Sequence, residues 1–168
     1  MQILGIDPGL EKTGWALVQK QNTAFILKSS GLIETSKNSN LPQRLSEIFD
    51  GISRVLNTEK PDAAAIEELF FANKINTQYR TIQARGAILV ACEKAGVKIA
   101  AYNPRTIKQT LTGNGSADKS QMQRMTQMTL NLKKPLDPDD IADAAAAALC
   151  HMRIAPFMEK TASAKSKQ

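Results

Sequence analysis

Four acidic residues of this chain have the placing that carboxylate chemistry needs. Asp7 ends an apolar run, Gln2-Ile-Leu-Gly-Ile-Asp7, and Glu67 ends another, Ala63-Ala-Ala-Ile66-Glu67. Each run has the length and content of a buried strand, so each acid falls at a strand's carboxyl end, where the sites of open α/β sheets collect. A third acidic group, Asp137, Asp139, Asp140 and Asp143, opens an alanine-rich segment that reads as the last helix. Asp140 and Asp143, at i and i+3, share one helical face with Cβ atoms about 5–6 Å apart; Asp139 and Asp143, at i and i+4, also reach a common face. If that face meets the sheet where Asp7 and Glu67 emerge, the carboxylates converge. A like-charged pair at 4 Å costs about 4 kcal/mol at an effective dielectric of 20, so such a cluster takes up protons or cations. All-oxygen donors suit a hard divalent ion, Mg2+ first. Each piece also has an ordinary structural role: Asp7 before Pro8-Gly9 can form a turn, and acids in a helix's first turn favour its dipole.

The elements that must position these residues follow from periodicity and breakers. Residues 2–7, 13–19 and 24–34 read as strands and form an opening antiparallel meander. Pro42 suits the start of a helix in which Leu45, Ile48, Phe49, Ile52, Val55 and Leu56 recur at helical spacing, ended by Lys60-Pro61-Asp62. The strand 63–67 leads through a loop to a helix over 76–95, closed by Gly96. A strand over 97–102, a short helix from Pro104 to Gly113, a helix capped by Ser116 and running through Leu130, and a final helix from Asp139 to about Ile154 complete the chain. The order predicts an α/β fold: a mixed central sheet, antiparallel meander plus parallel strands, with helices on both faces.

At 168 residues and 18.3 kDa the chain is one ordinary domain. No apolar run approaches the roughly 20 residues of a membrane span, and Met1 to Gly9 lack the pattern of a signal peptide, so a cytoplasmic location is expected. Cys92 and Cys150 lie in apolar surroundings and read as reduced core thiols. Net charge is +6, unevenly spread. From Lys74 to Lys134, eleven basic residues face only Glu93 and Asp118, so this stretch carries +9 and the rest −3. A block of one sign on that scale attracts a polyanion. The end of the chain, 156–168, reads as a basic, frayed tail.

At these residues a resemblance emerges. Gly5-Ile-Asp7-Pro-Gly9 followed by Thr13-Gly14 resembles the opening motif of the RuvC-type Holliday junction resolvases. Ala65-Ile-Glu67-Glu-Leu-Phe70-Phe-Ala72, Gln83-Ala-Arg85-Gly86, Lys108-Gln-Thr110, Gly113-Asn-Gly-Ser-Ala-Asp-Lys119-Ser-Gln121 and Asp140-Ile-Ala-Asp143 resemble further segments in family order, over about residues 1–155. The resemblance implies an RNase H-like nuclease domain and a homodimeric, Mg2+-dependent crossover junction endodeoxyribonuclease. Such an enzyme nicks opposed strands of a four-way DNA junction in recombination and repair. It implies Asp7, Glu67, Asp140 and Asp143 as ligands of two Mg2+ ions, with Mn2+ able to substitute. Phe70 would stack on unpaired bases, and Lys108, Lys119 and Arg85 would contact DNA. A RuvA/RuvB-like branch-migration complex is the implied partner. Glu68 stands where the family often has Gln; alternation from Ile66 and the motif position assign the ligand role to Glu67. The helix 76–95 could supply a dimer interface or simply pack on the sheet.

Other readings weigh less. A kinase or actin type of ATP-dependent enzyme shares the core fold and an Asp-x-Gly loop, but usually needs two such domains. Gly113-Asn-Gly-Ser-Ala-Asp118-Lys119-Ser120 nearly fits a phosphate-binding loop, yet Asp118 replaces its second glycine and the segment follows a helix. A junction binder without catalysis would leave the four acids unexplained.

Overall fold

A computed structural model of the chain describes residues 1–68 and 75–165, with side chains described except at 75–78 and 157–165. Five strands, β1 (Gln2–Asp7), β2 (Lys12–Gln21), β3 (Ala24–Glu34), β4 (Ala63–Glu67) and β5 (Ile99–Tyr102), form one sheet in the order β3-β2-β1-β4-β5. The first three pair antiparallel, while β4 and β5 run parallel to β1, so the mixed sheet is as expected. Among the described residues five helices complete the fold: α1 (Leu41–Glu59), α2 (Ile75–Lys94), α3 (Pro104–Thr112), α4 (Lys119–Thr129) and α5 (Asp139–Lys165).

The two faces of the sheet follow from the alternation of side chains along each strand. Leu4, Ile6, Leu17 and Ile66 point to one face and pack with α1 and α2 through Ile48, Ile52 and Ile88. Ile3, Ala16, Val18 and Ala65 point to the other and pack with α5 through Ala144, Ala145, Ala148 and Leu149, and with Ile107, Leu111 and Met122 of α3 and α4. Asp7 and Glu67 follow Ile6 and Ile66, so alternation turns both acids toward α5.

Glycine brings α5 close. A Cβ at Gly5 would overlap the carbonyl oxygen of Ala144 and meet the Ala148 nitrogen at 3.0 Å, and a Cβ at Gly14 would overlap the Asp140 carbonyl. Gly14 lies opposite Asp7 in the β1–β2 register. The backbone of α5 therefore rests on the sheet beside the tip of β1, and the alanine run keeps it there.

Two helix ends differ from expectation. Helix α4 is capped by Asp118 rather than Ser116: Gln121 donates its backbone N–H to Asp118 Oδ1 at 2.8 Å, and the Asp118 N–H donates to Gln121 Oε1 at 3.1 Å. That reciprocal pair satisfies two otherwise orphaned donors, while the Ser116 N–H is taken up by Asn114 Oδ1 in the preceding turn. Helix α5 continues past Ile154 through Pro156 to Lys165, into the 156–168 stretch read as a tail. The Ala, Met, Glu and Lys content of that stretch favours helix, and Pro156 removes only one N–H from the ladder.

Candidate active site

Each candidate side chain is placed by the elements around it. The turn after Asp7 is closed by Thr13, whose hydroxyl donates to the Gly9 carbonyl at 2.8 Å and which is fully buried. At the other strand end, Glu67 pairs in register with Tyr102, and the Glu68 N–H donates to the Tyr102 carbonyl at 2.8 Å. Glu67 is half-buried on the α5 side, whereas Glu68 is exposed. Asp140 and Asp143 lie in the first turns of α5, partly buried against the sheet.

Burial and neighbouring charge together set the electrostatics of these groups. Burial, reinforced by the charges of Asp143, Glu67 and Asp140 and partly offset by Lys119, pushes the Asp7 carboxyl up to about 8. Burial and then Asp143 push Glu67 up to about 7, against the pull of Lys108. Burial likewise raises Asp143, with Lys119 opposing. Asp7 thus feels all three of the other acids. Among the described residues no three acid, His or Cys side chains already close on a single point as a finished metal cage. The donor set itself, carboxylate oxygens carrying more negative charge than their surroundings can hold, fits a hard divalent cation.

Two lysines flank the acids. Lys108 of α3 and Lys119 of α4 line a cavity of about 210 Å³ together with Glu67 and Asp143. Lys119, the first residue of α4, forms an ion pair with Asp139, which raises the lysine and lowers the acid from their ordinary values. Asp139 is therefore turned to Lys119 in solvent, while Asp140 sits behind Gly14 and adds to the potential at Asp7. Arg85 is on α2, across the sheet from α5, and its Nε is buried without a hydrogen-bond partner among the described residues. The structure does not bring it to the acids. Phe70 and Phe71 lie outside the described residues. Tyr102 donates to or accepts from His151 Nδ1 at 2.7 Å, and both cysteines are free and buried, their thiols pushed up to about 11 by burial.

Sequence reasoning did not find one group. Arg44 of α1 is 9% exposed. Its Nε donates to Thr35 Oγ1 at 2.7 Å and its Nη2 to the Leu10 carbonyl at 3.3 Å, while the Thr35 hydroxyl donates to the same carbonyl at 2.6 Å. The guanidinium thereby fastens the turn that follows Asp7 to α1. The only sequence signal was position: Arg44 precedes Ile48, Gly51 and Ile52 at helical spacing on the buried face.

A five-stranded mixed sheet carrying strand-end acids opposite an acidic helix defines the RNase H-like class of nucleic-acid enzymes. The family model described as crossover junction endodeoxyribonuclease RuvC matches residues 3–151. The chain is 40% identical over 160 residues to the crossover junction endodeoxyribonuclease RuvC of Chloroflexus aggregans, covering 95% of this chain and 98% of the relative. It is 43% identical over 151 residues to that of Petrotoga mobilis, covering 90% and 93%. Among solved structures, Thermus thermophilus RuvC superimposes with a TM-score of 0.86 at 35% identity, covering 94% of this chain and 96% of that one. The same protein in complex with a Holliday junction substrate gives 0.89 at the same identity and coverage. The chain belongs to the RuvC family of crossover junction endodeoxyribonucleases.

Proposed function

We propose that this chain resolves four-way DNA junctions by hydrolysing one phosphodiester bond in each of two opposed strands, in recombination and repair. The observation that carries the reading is the mutual approach of Asp7, Glu67, Asp140 and Asp143 where β1, β4 and the start of α5 meet, with Lys108 and Lys119 beside them. The nuclease unit is residues 1–155, with a basic C-terminal stretch after it. The four carboxylates would hold Mg2+, two ions per site, with Mn2+ substituting. When bound, the ions supply a more acidic water and relieve charge on the leaving oxygen.

The chain's own groups do the rest. Asp7, at the tip of the central strand, feels the charges of the other three acids and would hold the ions together with them. Glu67 and Asp143 face the cavity that also presents Lys108 and Lys119, whose ammonium groups set positive charge beside a phosphate seated there. The +9 stretch from Lys74 to Lys134 neutralises backbone phosphates, so affinity falls steeply with salt. Phe70 stacks on an unpaired base, a role resting on its motif position, and Arg85 contributes to the basic field.

Two opposed cuts on a junction of near two-fold symmetry need two sites related by a two-fold axis, hence a homodimer. Helix α2 offers exposed Ile82 and Val90 for that contact. A branch-migration complex of RuvA/RuvB type is the partner suited to deliver junctions, in the cytoplasm. No helix among the described residues is long and apolar enough to cross a membrane.

A nicking assay on a synthetic four-way junction tests the reading. The chain should cut with Mg2+ and not with a chelator, and the Asp7→Asn variant should bind the junction without cutting. Equal cutting by the variant would remove the carboxylate site from the mechanism.

A further inference from the structure

Among the described residues the carboxylates border cavities on two sides. One, of about 210 Å³, contains Glu67 and Asp143 with Lys108 and Lys119. The second lies beyond Asp140. It consists of two contiguous chambers of about 550 Å³ each, which share Leu10, Lys37, Arg44 and Arg80. One chamber reaches Gly9, Lys12 and Asp140, so it touches both the turn that follows Asp7 and the first turn of α5.

The charge of this second cavity is positive after its internal pairs are cancelled. Lys37 is paired with Glu11 at 2.9 Å, and Lys12 with Glu34 at 3.5 Å. Arg44 and Arg80 have no ion-pair partner among the described residues, and Asp140 is the remaining acid at the edge. Arg44 is held in place by Thr35 and Leu10, so its charge is fixed in position rather than swinging in solvent. A guanidinium immobilised in a concave, partly dry site binds an oxyanion more strongly than a free surface lysine, because little side-chain entropy remains to be lost. The lining comes from the β1–β2 turn, from α1 and its preceding loop, from α2, and from Asp140 of α5.

We infer that this second cavity is a phosphate subsite: it seats a backbone phosphodiester of the cleaved DNA strand on the Asp140 side of the cut, opposite Lys108 and Lys119, with Arg80 and Arg44 as its principal cations and Lys37 beside them. The inference rests on the junction-cutting reading above and adds the direction in which the strand continues. One cavity on either side of the acids gives the strand a cation contact on both flanks of the reacting phosphate. That holds the scissile group over the carboxylates, where contact on one flank alone would let it pivot.

The test uses the full chain, a four-way junction and Arg80→Gln, because Arg80 is exposed and its loss spares the Arg44 clamp. Lys37→Gln is a second variant, and Lys28→Gln, at an exposed position on β3, is the control. Junction binding is measured in chelator over a salt series, together with junctions carrying a single uncharged methylphosphonate at successive positions on either side of the cut. Arg80→Gln should weaken binding about tenfold and lower the salt slope by about 1, with Lys37→Gln smaller in the same direction and Lys28→Gln unchanged. One methylphosphonate position, on one side of the cut only, should weaken the parent chain yet cost the Arg80→Gln variant nothing more. A slope and affinity equal to the parent in both Arg80→Gln and Lys37→Gln, or no methylphosphonate position coupled to Arg80, overturns the subsite. So does an effect of these variants on binding of inorganic phosphate or a mononucleotide without one on the junction. If the parent chain itself neither binds nor cuts junctions, the broader reading fails instead, a result distinct from every one of these.

Discussion

Replacing Asp7 by Asn should make the metal-free protein more stable while ending its cleavage. In the folded chain, burial and three neighbouring acids push this carboxyl from 3.8 to about 8. An acid raised by folding binds its proton more tightly in the native state, so the native chain is the more protonated between about pH 4 and 8. Stability must fall as pH rises through that window, with the cost complete above about 8 and absent below about 4. Each pH unit is worth about 1.4 kcal/mol, which puts the ceiling at pH 7 near 4 kcal/mol. Relaxation of the acids away from one another reduces this, so the expected gain for Asp7→Asn at pH 7 in chelator is about 2–4 kcal/mol. For a chain of this length that is a rise in melting temperature of about 5–15 °C. The assay is thermal unfolding at pH 5, 7 and 8.5, with chelator or with millimolar Mg2+. The parent should lose stability with pH in chelator and recover it with Mg2+, by mass action on the native state; the variant should show a flatter pH dependence and a smaller Mg2+ response. A variant that melts at or below the parent at pH 8.5 without metal would refute the reasoning, because the Asp7 carboxylate would then carry no cost from burial or from its acidic neighbours.

Other expectations follow from single contacts. Gly5→Ala places a methyl group into the Ala144 carbonyl and should cost about 2–4 kcal/mol in denaturant unfolding, as α5 is forced off the sheet. Asp118→Ala removes the capping box of α4 and should cost about 1 kcal/mol; because Lys119 is the next residue, cleavage should fall more than that stability loss explains. Glu67→Gln should abolish cutting with junction affinity retained, whereas Glu68→Gln, at the exposed neighbour, should cut at close to the parent rate in the same assay.

The parts of this molecule that could be read from sequence are those fixed by local rules. Alternation along β4 put Glu67 rather than Glu68 on the side of Ala65, and the i, i+3 spacing put Asp140 and Asp143 on one face of α5. In the pattern Gly5, Asp7, Thr13, Gly14, the turn closed by Thr13 and the strand-end carboxylate are local, whereas the need for the two glycines appears only when α5 is laid on them. What could not be read depends on elements distant in the chain. Arg44 looks like any helix-surface arginine until Thr35 and Leu10 are brought beneath it. The second cavity exists only once α1, α2 and the β1–β2 turn are assembled. The choice of Asp118 over Ser116 as cap was open in sequence because both types serve that role, and the competing turn at Asn114 decided it. The ion pair between Asp139 and Lys119 was likewise out of reach of the sequence, because it depends on where α4 sets its first residue.

The seating of α5 on Gly5 and Gly14 has a consequence for how this site tolerates change. Distances between most side chains in a core depend on the volumes of the residues packed between them, and they drift as those residues are exchanged. Here main chain lies directly on main chain, with no intervening side chain to swell or shrink. The gap between the tip of β1 and the first turn of α5 is consequently gauged by peptide groups alone. Substitutions elsewhere in the interior can loosen the protein without resetting that gauge.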